Sequence, residues 1–333
     1  MSYSGGNPAN NTLKRESARS WGHLHFIFFH LHIEWLIVKD LKQATYEHTI
    51  VQRILHYVNV WFLPFRWGAN TYRGCEHNCV YCNARYTHEF LGLPTREFSQ
   101  KIIVKDNAAE ILDKEFSREK WKKMTVNLAT VTDPYQPAES KFNITRDTLD
   151  VFLKHHNPLI LSTKSALVLR DLEVLKEIAH TGFLNVVVSL STLDEELRKK
   201  IEPNVASVES RLKVIQELHE AGITVGVAAI PLLPGISDDE KDLDDLLKAV
   251  SENGVDYVIT DLLNFREEAR DRFMEFLAVY DSSLASVYNK LYQTNYCDKD
   301  YAKGIRRKAN ELVKRHKVDG YQKMFSYRRK TKE

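Results

Sequence analysis

Cysteine is scarce in this sequence, with four residues in 333, and three of the four lie within eight positions of one another. So few cysteines cannot form the disulfide framework of a small secreted protein, and a reducing, cytoplasmic location is therefore expected. Long apolar runs are also missing: the most apolar segment, residues 23–38, includes four histidines and Glu34. It is too short and too polar to cross a bilayer and lacks a cleavage site, so neither a membrane span nor export is expected.

The sequence also lacks a strong overall charge, since its formal net charge is +2. The charge is uneven, however: residues 301–333 contain 12 Lys and Arg against 3 Asp and Glu, which leaves residues 1–300 with a net charge of −7. We expect residues 281–333 to form a basic helical extension. Its apolar face is made by Ile305, Ala309, Leu312 and Val313. Because aromatic residues are interleaved with the cations, the extension either only packs on the core or also contacts nucleic acid.

No Gly-x-Gly-x-x-Gly pattern follows a predicted strand, which argues against a dinucleotide-binding fold of the Rossmann type. From residue 65 onward, short β-rich apolar runs alternate instead with helical patterns, one of which is predicted to begin at Ser237 with a capping box to Glu240. The predicted strands lie at residues 124–134, 158–165, 185–191, 224–235 and 256–265, and a sixth leads into the clustered cysteines. Strands separated by single helices pair in parallel and are buried on both faces. We therefore expect an α/β domain that is either doubly wound or curled into a barrel.

Polar side chains gather where these predicted strands end. They are Thr132, Asp133, Tyr135, Lys164, Ser189, Ser191, Asp261 and Asn264. Residues of these types often cap the helix that follows, but the carboxyl ends of parallel strands are also where α/β folds place their active sites. Lys164 fits the capping role least well, because an ammonium group at a strand end needs an anionic partner.

The clustered cysteines have the spacing C-x3-C-x2-C, and they are Cys75, Cys79 and Cys82. Three thiolates are one ligand short of a closed zinc or iron–sulfur site. His77 or His88 could complete a zinc site, which would then be only a structural staple. A [4Fe-4S] cluster held by three cysteines would instead leave one iron open to an outside ligand, as an active site requires.

This spacing, with the aromatic Tyr81 directly before the third cysteine, resembles the signature of the radical S-adenosylmethionine (SAM) superfamily. Blocks that resemble proteins related to spore photoproduct lyase are NTYRGCEHNCVYCNARYTHEFLG, TVTDPYQPAE, LSTKS, VSLSTLDEELRKKIEP and GITVGVAAIPLLPGISD. The resemblance covers residues 65–270 and implies a partial (β/α)6 radical SAM barrel over residues 65–280. Residues 1–64 would then be an N-terminal arm that is disordered, poorly packed or translated from too early a start.

The resemblance also implies the cofactors and the residues that bind them. The three cysteines would bind a [4Fe-4S] cluster whose open iron binds SAM, and an electron from a flavodoxin or ferredoxin would generate a 5'-deoxyadenosyl radical. Lys164 would neutralise the SAM carboxylate, and Ser189 or Ser191 would hydrogen-bond the same cofactor. The remaining contacts, to the adenine, the amino group or the ribose, would come from Tyr81, Thr132, Asp133, Ile230 and Pro231. A monomer without membrane attachment is expected.

One departure from the family bears on the substrate. Spore photoproduct lyase uses a further cysteine, near the end of its second strand, to return a hydrogen atom to the substrate radical, whereas this sequence has no cysteine between Cys82 and Cys297. Tyr135 is the only readily oxidised side chain in the corresponding stretch and is therefore the candidate catalytic residue. Nucleic acid remains a candidate substrate, while repair of thymine dimers is in doubt. The alternative function is a zinc-stapled barrel that binds nucleic acid through its basic tail.

Overall fold

The computed structural model describes residues 43–60 and 63–320. The histidine-rich segment 23–38 and residues 321–333 of the basic extension lie outside the described residues. The domain boundaries expected near residues 64 and 280 therefore stay predictions.

A sheet of mainly parallel strands forms the centre of the structure. The strands found in the described ranges are β1 (Thr45–Thr49), β2 (His56–Tyr57), β3 (Trp67–Ala69), β4 (Tyr72–Arg73), β5 (Lys101–Lys105), β6 (Val126–Leu128), β7 (Leu159–Thr163), β8 (Leu184–Ser189), β9 (Thr224–Leu232) and β10 (Tyr257–Leu262). Seven of them form one sheet in the order β10-β9-β8-β7-β6-β3-β2, in which only β2 runs antiparallel to its neighbour. Its six parallel strands are those predicted, and the α/β fold with a partial (β/α)6 arrangement is confirmed.

Helices cover this sheet, because each parallel strand must bury both of its apolar faces. In the described residues they are α1 (Ala108–Phe116), α2 (Glu139–Phe142), α3 (Ile144–His155), α4 (Leu172–Thr181), α5 (Glu195–Ile201), α6 (Val208–Glu220), α7 (Glu240–Glu252), α8 (Glu267–Tyr280), α9 (Ser283–Leu291) and α10 (Lys299–Arg315). Three 3₁₀ helices lie at Asn83–Leu91, Thr95–Ser99 and Ala166–Asp171. The first of these directly follows the clustered cysteines.

The first strand–helix unit is more elaborate than the sequence predicts. Between β3 and β6 the chain also forms β4 and β5, which pair antiparallel, and β1 pairs with β5 in parallel to complete a three-stranded sheet. β1 and β2 both lie within the segment expected to be an arm, yet each pairs with a strand from the rest of the chain. The small sheet supports the backbone that leads into the cysteines, because β4 ends two residues before Cys75.

Helix α7 begins later than predicted. Asp239, not Ser237, is its N-cap, and the Asp239 carboxylate accepts a hydrogen bond from the Lys241 N–H at 2.8 Å. The Ser237 hydroxyl instead accepts a hydrogen bond from the Leu233 N–H at 3.0 Å, within the preceding turn. The predicted capping box is therefore wrong. Ser237 and Asp239 both have side chains that can cap a helix, and Asp239, the one closer to the first helical residue, is the one that does so.

The C-terminal extension packs on the domain through α10. The face predicted to be apolar is buried, as expected, through Ile305, Ala309, Leu312 and Val313. On the flank of this face, Arg306 forms an ion pair with Asp261 at 2.9 Å, and His316 contacts Asp244 at 2.7 Å. Among the described residues, no helix combines the length and apolar character needed to span a membrane.

Candidate active site

The three clustered cysteines lie in one segment, residues 74–82, which we call the cysteine loop. All three are free thiols; Cys82 is partly exposed and the other two are buried. Gly74 opens the loop with φ +85°, and a Cβ at this position would lie 2.7 Å from the Lys101 carbonyl oxygen. Only glycine fits there, which lets the loop start directly against β5.

Backbone hydrogen bonds fix the cysteine loop from two sides. The Cys75 N–H donates to the Phe98 carbonyl at 2.9 Å, and the Val80 N–H donates to the Ile201 carbonyl at 2.9 Å. Asn204 donates two further hydrogen bonds to carbonyls of the loop, at 2.7 and 3.4 Å. The loop is thus held between the 3₁₀ helix Thr95–Ser99 and the C-terminal end of α5 with the residues that follow it.

Residues after β6 hold the start of the same loop. The Thr132 hydroxyl donates to the Gly74 carbonyl at 2.5 Å, and the Gln136 amide donates to that carbonyl at 3.1 Å. The Glu76 N–H in turn donates to the side-chain oxygen of Gln136 at 2.9 Å. Thr132, which was expected to contact SAM, is therefore bound to the backbone of the cysteine loop.

The buried carboxylate of Asp133 accepts several hydrogen bonds at once. Its donors are the N–H groups of Tyr135 at 2.9 Å and Lys164 at 2.7 Å and the hydroxyl of Thr163 at 2.8 Å. The His77 ring lies 3.4 Å away, measured from Nδ1 to the carboxylate. These contacts connect the cysteine loop to the end of β7, where Lys164 lies.

His77 and Asp133 form a charged pair despite their burial. Burial opposes the carboxylate charge, but His77 and the hydrogen bonds outweigh it and lower the pKa of Asp133. Burial likewise opposes the imidazolium, but Asp133 and Cys75 outweigh it and raise the pKa of His77 to about 10. A buried pair of this kind is costly to break, so His77 and Asp133 fix their two segments relative to each other.

A second buried ion pair lies on the other side of the cysteine loop. Glu202, only 1% exposed, accepts a hydrogen bond from the Tyr81 hydroxyl and pairs with Arg211 Nη1 at 2.9 Å. Arg211 also donates to the Ser189 carbonyl at 2.9 Å. Burial opposes the charge on Glu202, but Arg211 and Lys164 outweigh it and lower the pKa of the carboxyl. One ion pair thus joins the cysteine loop to the end of β8.

Lys164 places an ammonium group between these two pairs. Its Nζ lies 6.0 Å from the centre of the Tyr81 ring, and the residue is partly exposed. Burial opposes its charge, but Cys79, Glu202 and Asp133 outweigh it and raise the pKa of Lys164. Within the described part of the chain, Nζ forms no hydrogen bond and no ion pair shorter than 4.0 Å. Lys164 is therefore a charged donor available to an anionic ligand.

The cysteine loop fits an iron–sulfur cluster. Burial raises the pKa of the Cys79 thiol well above its usual range, with Lys164 as the main opposing charge. Burial also raises the pKa of the Cys82 thiol, and Arg85 is the main opposing charge there. Buried thiols that lack disulfide partners and lie beside cations suit thiolate ligation, because bound iron would compensate the buried charge.

The two histidines considered as a fourth zinc ligand have other contacts. His77 is paired with Asp133, as described, and His88 Nε2 lies 2.9 Å from the Lys101 carbonyl oxygen. Burial lowers the pKa of His88, whose ring packs edge-on against Phe98 with a centroid distance of 5.2 Å. In residues 43–60 and 63–320 there is no group of three His, Cys, Asp or Glu side chains that could hold a single metal ion.

The other residues expected to contact SAM lie at the carboxyl ends of β8 and β9. Ser189 ends β8 and is partly exposed, whereas Ser191, two residues later, is buried. Ile230 and Pro231 lie near the end of β9, joined by a cis peptide bond, and Ile230 is partly exposed. Parallel pairing brings both strand ends to the edge at which Lys164 follows β7.

Tyr135 and Cys297 lie in packed surroundings. Tyr135 is completely buried and its hydroxyl donates to the Asp171 carboxylate at 3.0 Å, beside the Arg170–Glu139 ion pair. Burial and Asp171 raise the pKa of Tyr135 well above its usual range. Cys297 is 9% exposed and hydrogen-bonds Tyr292. These contacts explain structural roles for both residues and do not favour Tyr135 as a hydrogen donor.

Sequence reasoning missed Glu202, Arg211 and the pairing of His77. One signal was present: Arg211 lies on the same face of α6 as Val214 and Ile215, both completely buried. A cation within an apolar helix face requires a buried anion nearby. The sequence does not show that the anion is Glu202, because that contact depends on how α5 and α6 pack.

Comparison with known proteins identifies the family. The model of the radical SAM superfamily matches residues 69–247, more than half of the chain. The chain belongs to the radical SAM superfamily. This superfamily uses a [4Fe-4S] cluster and SAM, and the chain is accordingly a radical SAM enzyme with these two cofactors.

Relatives of this radical SAM protein occur in bacteria and archaea. The uncharacterized protein Rv2578c of Mycobacterium tuberculosis is 34% identical over 279 residues, which are 83% of this chain and 82% of that protein. The uncharacterized protein MJ0683 of Methanocaldococcus jannaschii is 30% identical over 171 residues, 51% of this chain and 62% of that protein. A spore photoproduct lyase variant with bound AdoMet and dinucleoside spore photoproduct has a similar fold, with a TM-score of 0.63, 15% identity and coverage of 83% of this chain and 81% of that one.

Replacing any one of the three clustered cysteines with Ala is expected to abolish a normal [4Fe-4S] content, because each residue would supply one of the three thiolates that bind the cluster. The variants would be reconstituted without air and assayed for iron and acid-labile sulfide, and by electron paramagnetic resonance after reduction. Cys297→Ala is the matched control and should keep the cluster, since Cys297 packs against Tyr292. A normal cluster after any of the loop replacements would contradict the assignment.

Replacing Glu202 with Ala is expected to lower the free energy of unfolding by about 3–5 kcal/mol, because the Arg211 charge would remain buried without its partner. Urea unfolding of the reconstituted protein, together with its iron content, would measure the effect. Glu196→Ala is the control: Glu196 is an exposed residue of α5 whose one ion pair among the described residues is with Lys199, at 2.7 Å, and this replacement should cost at most about 1 kcal/mol. Equal losses in the two variants would show that the buried pair does not stabilise the site.

Proposed function

We propose that this radical SAM enzyme reductively cleaves SAM and uses the resulting radical on a nucleic acid. The observation that carries the proposal is Lys164, a charged and partly exposed residue near Cys79 whose ammonium has no hydrogen-bond acceptor in the described residues. When bound, the cluster supplies one electron to SAM, which splits into methionine and a 5'-deoxyadenosyl radical.

The residues of the chain bind and orient SAM in this proposal. Lys164 binds the SAM carboxylate, and Ser189 or Ser191 donates a hydrogen bond to the same cofactor. Ile230 and Pro231 would form an apolar wall for the adenine, and the backbone around Tyr81 would face the same group. These assignments are supported by the shared carboxyl edge of β7, β8 and β9.

Thr132 and Asp133 act by positioning rather than by direct contact. The Thr132 hydroxyl is bound to the backbone of the cysteine loop, and the Asp133 carboxylate is occupied by His77 and three further donors. An acceptor that already has this many donors has little capacity left for a ligand. We infer that Asp133 sets the backbone position of Lys164, to which it is bound at 2.7 Å.

Nucleic acid is the proposed substrate class because of the fold and the distribution of charge. Spore photoproduct lyase, which shares the fold, has been crystallised with a dinucleoside photoproduct. The basic residues of α10 add a surface that suits phosphates. We further propose a monomer in the cytoplasm that receives its electron from a flavodoxin or ferredoxin.

The test is anaerobic incubation of the reconstituted enzyme with SAM and dithionite. Formation of 5'-deoxyadenosine would be measured by liquid chromatography, and candidate nucleic acids and small molecules would be examined by mass spectrometry for a deuterium-traceable change. Cleavage of SAM that is stimulated by an oligonucleotide is expected. Absence of 5'-deoxyadenosine from a fully reconstituted, reduced enzyme would contradict the proposal.

Lys164→Ala should weaken SAM binding by about one to two orders of magnitude, which corresponds to the loss of a charged hydrogen bond worth about 1.5–3 kcal/mol. Equilibrium binding of SAM to the anaerobic holoenzyme would measure it. Lys176→Ala is the matched control, since Lys176 is exposed on α4 and, in the part of the chain that the structure describes, forms an ion pair only with Glu173, at 3.6 Å. Unchanged affinity in Lys164→Ala, with normal iron content, would show that Lys164 serves only the fold.

The enzyme is expected to cleave SAM without efficiently repairing thymine photoproducts. Hydrogen return requires a donor in near contact with the substrate radical, and the sequence has no thiol between Cys82 and Cys297. Dinucleotide and oligonucleotide photoproducts would be incubated with the enzyme and assayed for restored thymines. Restoration with multiple turnovers would overturn this expectation. If repair occurred, its loss in Cys297→Ala would identify that thiol as the donor, whereas its loss in Tyr135→Phe would identify the tyrosine.

A further inference from the structure

Cations and aromatic rings form a continuous series beside the cysteine loop. It consists of Lys105, Arg73, Phe90, Tyr86 and Arg266, which we call the cation–aromatic strip. The Arg73 guanidinium lies 6.0 Å from the centre of the Phe90 ring, and the Phe90 and Tyr86 ring centres are 5.6 Å apart. The Arg266 guanidinium lies 3.9 Å from the centre of the Tyr86 ring. The strip therefore joins β5, the 3₁₀ helix after the cysteines and the residues after β10.

The first two cations of the strip lack an acidic partner. Arg73 lies opposite Ile103 in the β4–β5 pair, so Lys105, two residues along the strand, is on the same face. Arg73 donates to the Thr87 carbonyl and Lys105 to the Asn70 carbonyl, and neither forms an ion pair within the residues that the structure describes. Burial, and then the Arg73 charge, lower the pKa of Lys105 to about 8. Two adjacent, partly buried cations without a carboxylate are a site for an anion.

The aromatic part of the strip faces solvent. Phe90 is 70% exposed, an unusual position for a large apolar side chain, and Arg266 beyond Tyr86 is also exposed. Single-stranded nucleic acids are bound by this combination of cations for phosphates and ring faces for bases. A peptide or a membrane would be expected to need a broader apolar surface than two neighbouring rings.

The strip adjoins the proposed cluster site. Asn83, the residue directly after Cys82, donates to the Asn264 carbonyl at 2.7 Å and accepts a hydrogen bond from the Arg266 N–H at 3.0 Å. The helix that carries Tyr86 and Phe90 begins at Asn83. A chain bound along the strip would therefore pass close to the cysteine loop.

One acidic residue, Glu89, lies on the same helix as the two rings. It hydrogen-bonds Glu268, and burial followed by this contact raises the pKa of Glu268 to about 7. The raised pKa favours the neutral form of Glu268 and so reduces the negative charge beside the strip. The three cations of the strip outnumber the carboxyl groups of Glu89 and Glu268.

We propose that the cation–aromatic strip binds single-stranded nucleic acid, with Lys105, Arg73 and Arg266 at phosphates and Phe90 and Tyr86 stacked on bases. This inference rests on the proposed nucleic-acid substrate and assigns the surface that would hold it. It also replaces the basic C-terminal extension as the main contact, because the strip, unlike the extension, is connected directly to the cysteine loop.

Binding would be measured by fluorescence anisotropy with the anaerobically reconstituted full chain and a labelled oligothymidylate of about 12 nucleotides. No SAM or reductant is added, so the result does not depend on catalysis. Phe90→Ala should weaken binding about 5- to 150-fold through lost stacking. Lys105→Gln and Arg266→Gln should each reduce the slope of log affinity against log salt by about 0.7. Iron content would confirm that each variant is intact.

The controls are residues of the same types outside the strip. Tyr57→Ala removes another aromatic ring, 60% exposed, that contacts only Trp67 among the ring pairs, and Lys120→Gln removes an exposed lysine before β6. Both should bind as the unmodified protein does. Lys303→Gln and Arg307→Gln test the exposed side of α10.

Three results would overturn the inference: no detectable oligonucleotide binding, equal losses in the Phe90 and Tyr57 variants, or losses confined to the α10 variants. Preference for an acidic peptide of equal charge over the oligonucleotide would also overturn it. Failure of the proposed function has a different signature, since SAM cleavage is measured separately. An enzyme that binds the oligonucleotide through the strip but forms no 5'-deoxyadenosine would contradict the proposed function alone, whereas losses confined to the α10 variants would contradict the strip alone.

Discussion

The buried ion pair between Glu202 and Arg211 is the interaction on which the rest of the site depends. Each partner is 1% exposed, so removing either one would leave a charge in the interior at a cost of several kcal/mol. Through Tyr81 the pair holds the cysteine loop, and through the Ser189 carbonyl it holds the end of β8. The ion pair thereby sets the distance between the cysteines proposed to bind the cluster and a strand end at which SAM is expected to lie.

The charged side chains around the cysteine loop alternate in sign. His77 faces Asp133 on one side of Lys164, and Glu202 faces Arg211 on the other, so Lys164 lies between two anions. Both anions raise the pKa of Lys164 without hydrogen-bonding its ammonium, whose three donors remain available. The surroundings therefore keep the lysine charged although it is partly buried, while its hydrogen bonds are left for a ligand. This arrangement explains why a lysine is tolerated at a strand end.

The sequence predicted those features that depend on local pattern. The strands around Val126, Leu159 and Tyr257 follow from short β-rich runs, and the cysteine spacing indicated an iron–sulfur site without reference to the fold. Contacts between distant segments were not predictable, because nothing local relates Glu202 to Tyr81, 121 positions earlier. The prediction of where α7 starts failed for a different reason. Several residues before the helix have side chains that can cap it, and only the path of the turn decides which one is used.

The same distinction explains why the substrate is harder to infer than the cofactor. Cofactor chemistry fixes residue types and spacings, whereas substrate recognition uses surface residues that come from separate elements. Tyr86 and Arg266 are 180 positions apart in the sequence, yet the Arg266 guanidinium lies over the Tyr86 ring, and Asn83 hydrogen-bonds the backbone at Asn264 and Arg266 beside them. Those hydrogen bonds also connect the start of the barrel to β10, an edge strand of the sheet. The hydrogen bonds of Asn83 thus hold the residues after β10 against the helix that follows the cysteines, and the same contact assembles the exposed surface beside the cysteine loop.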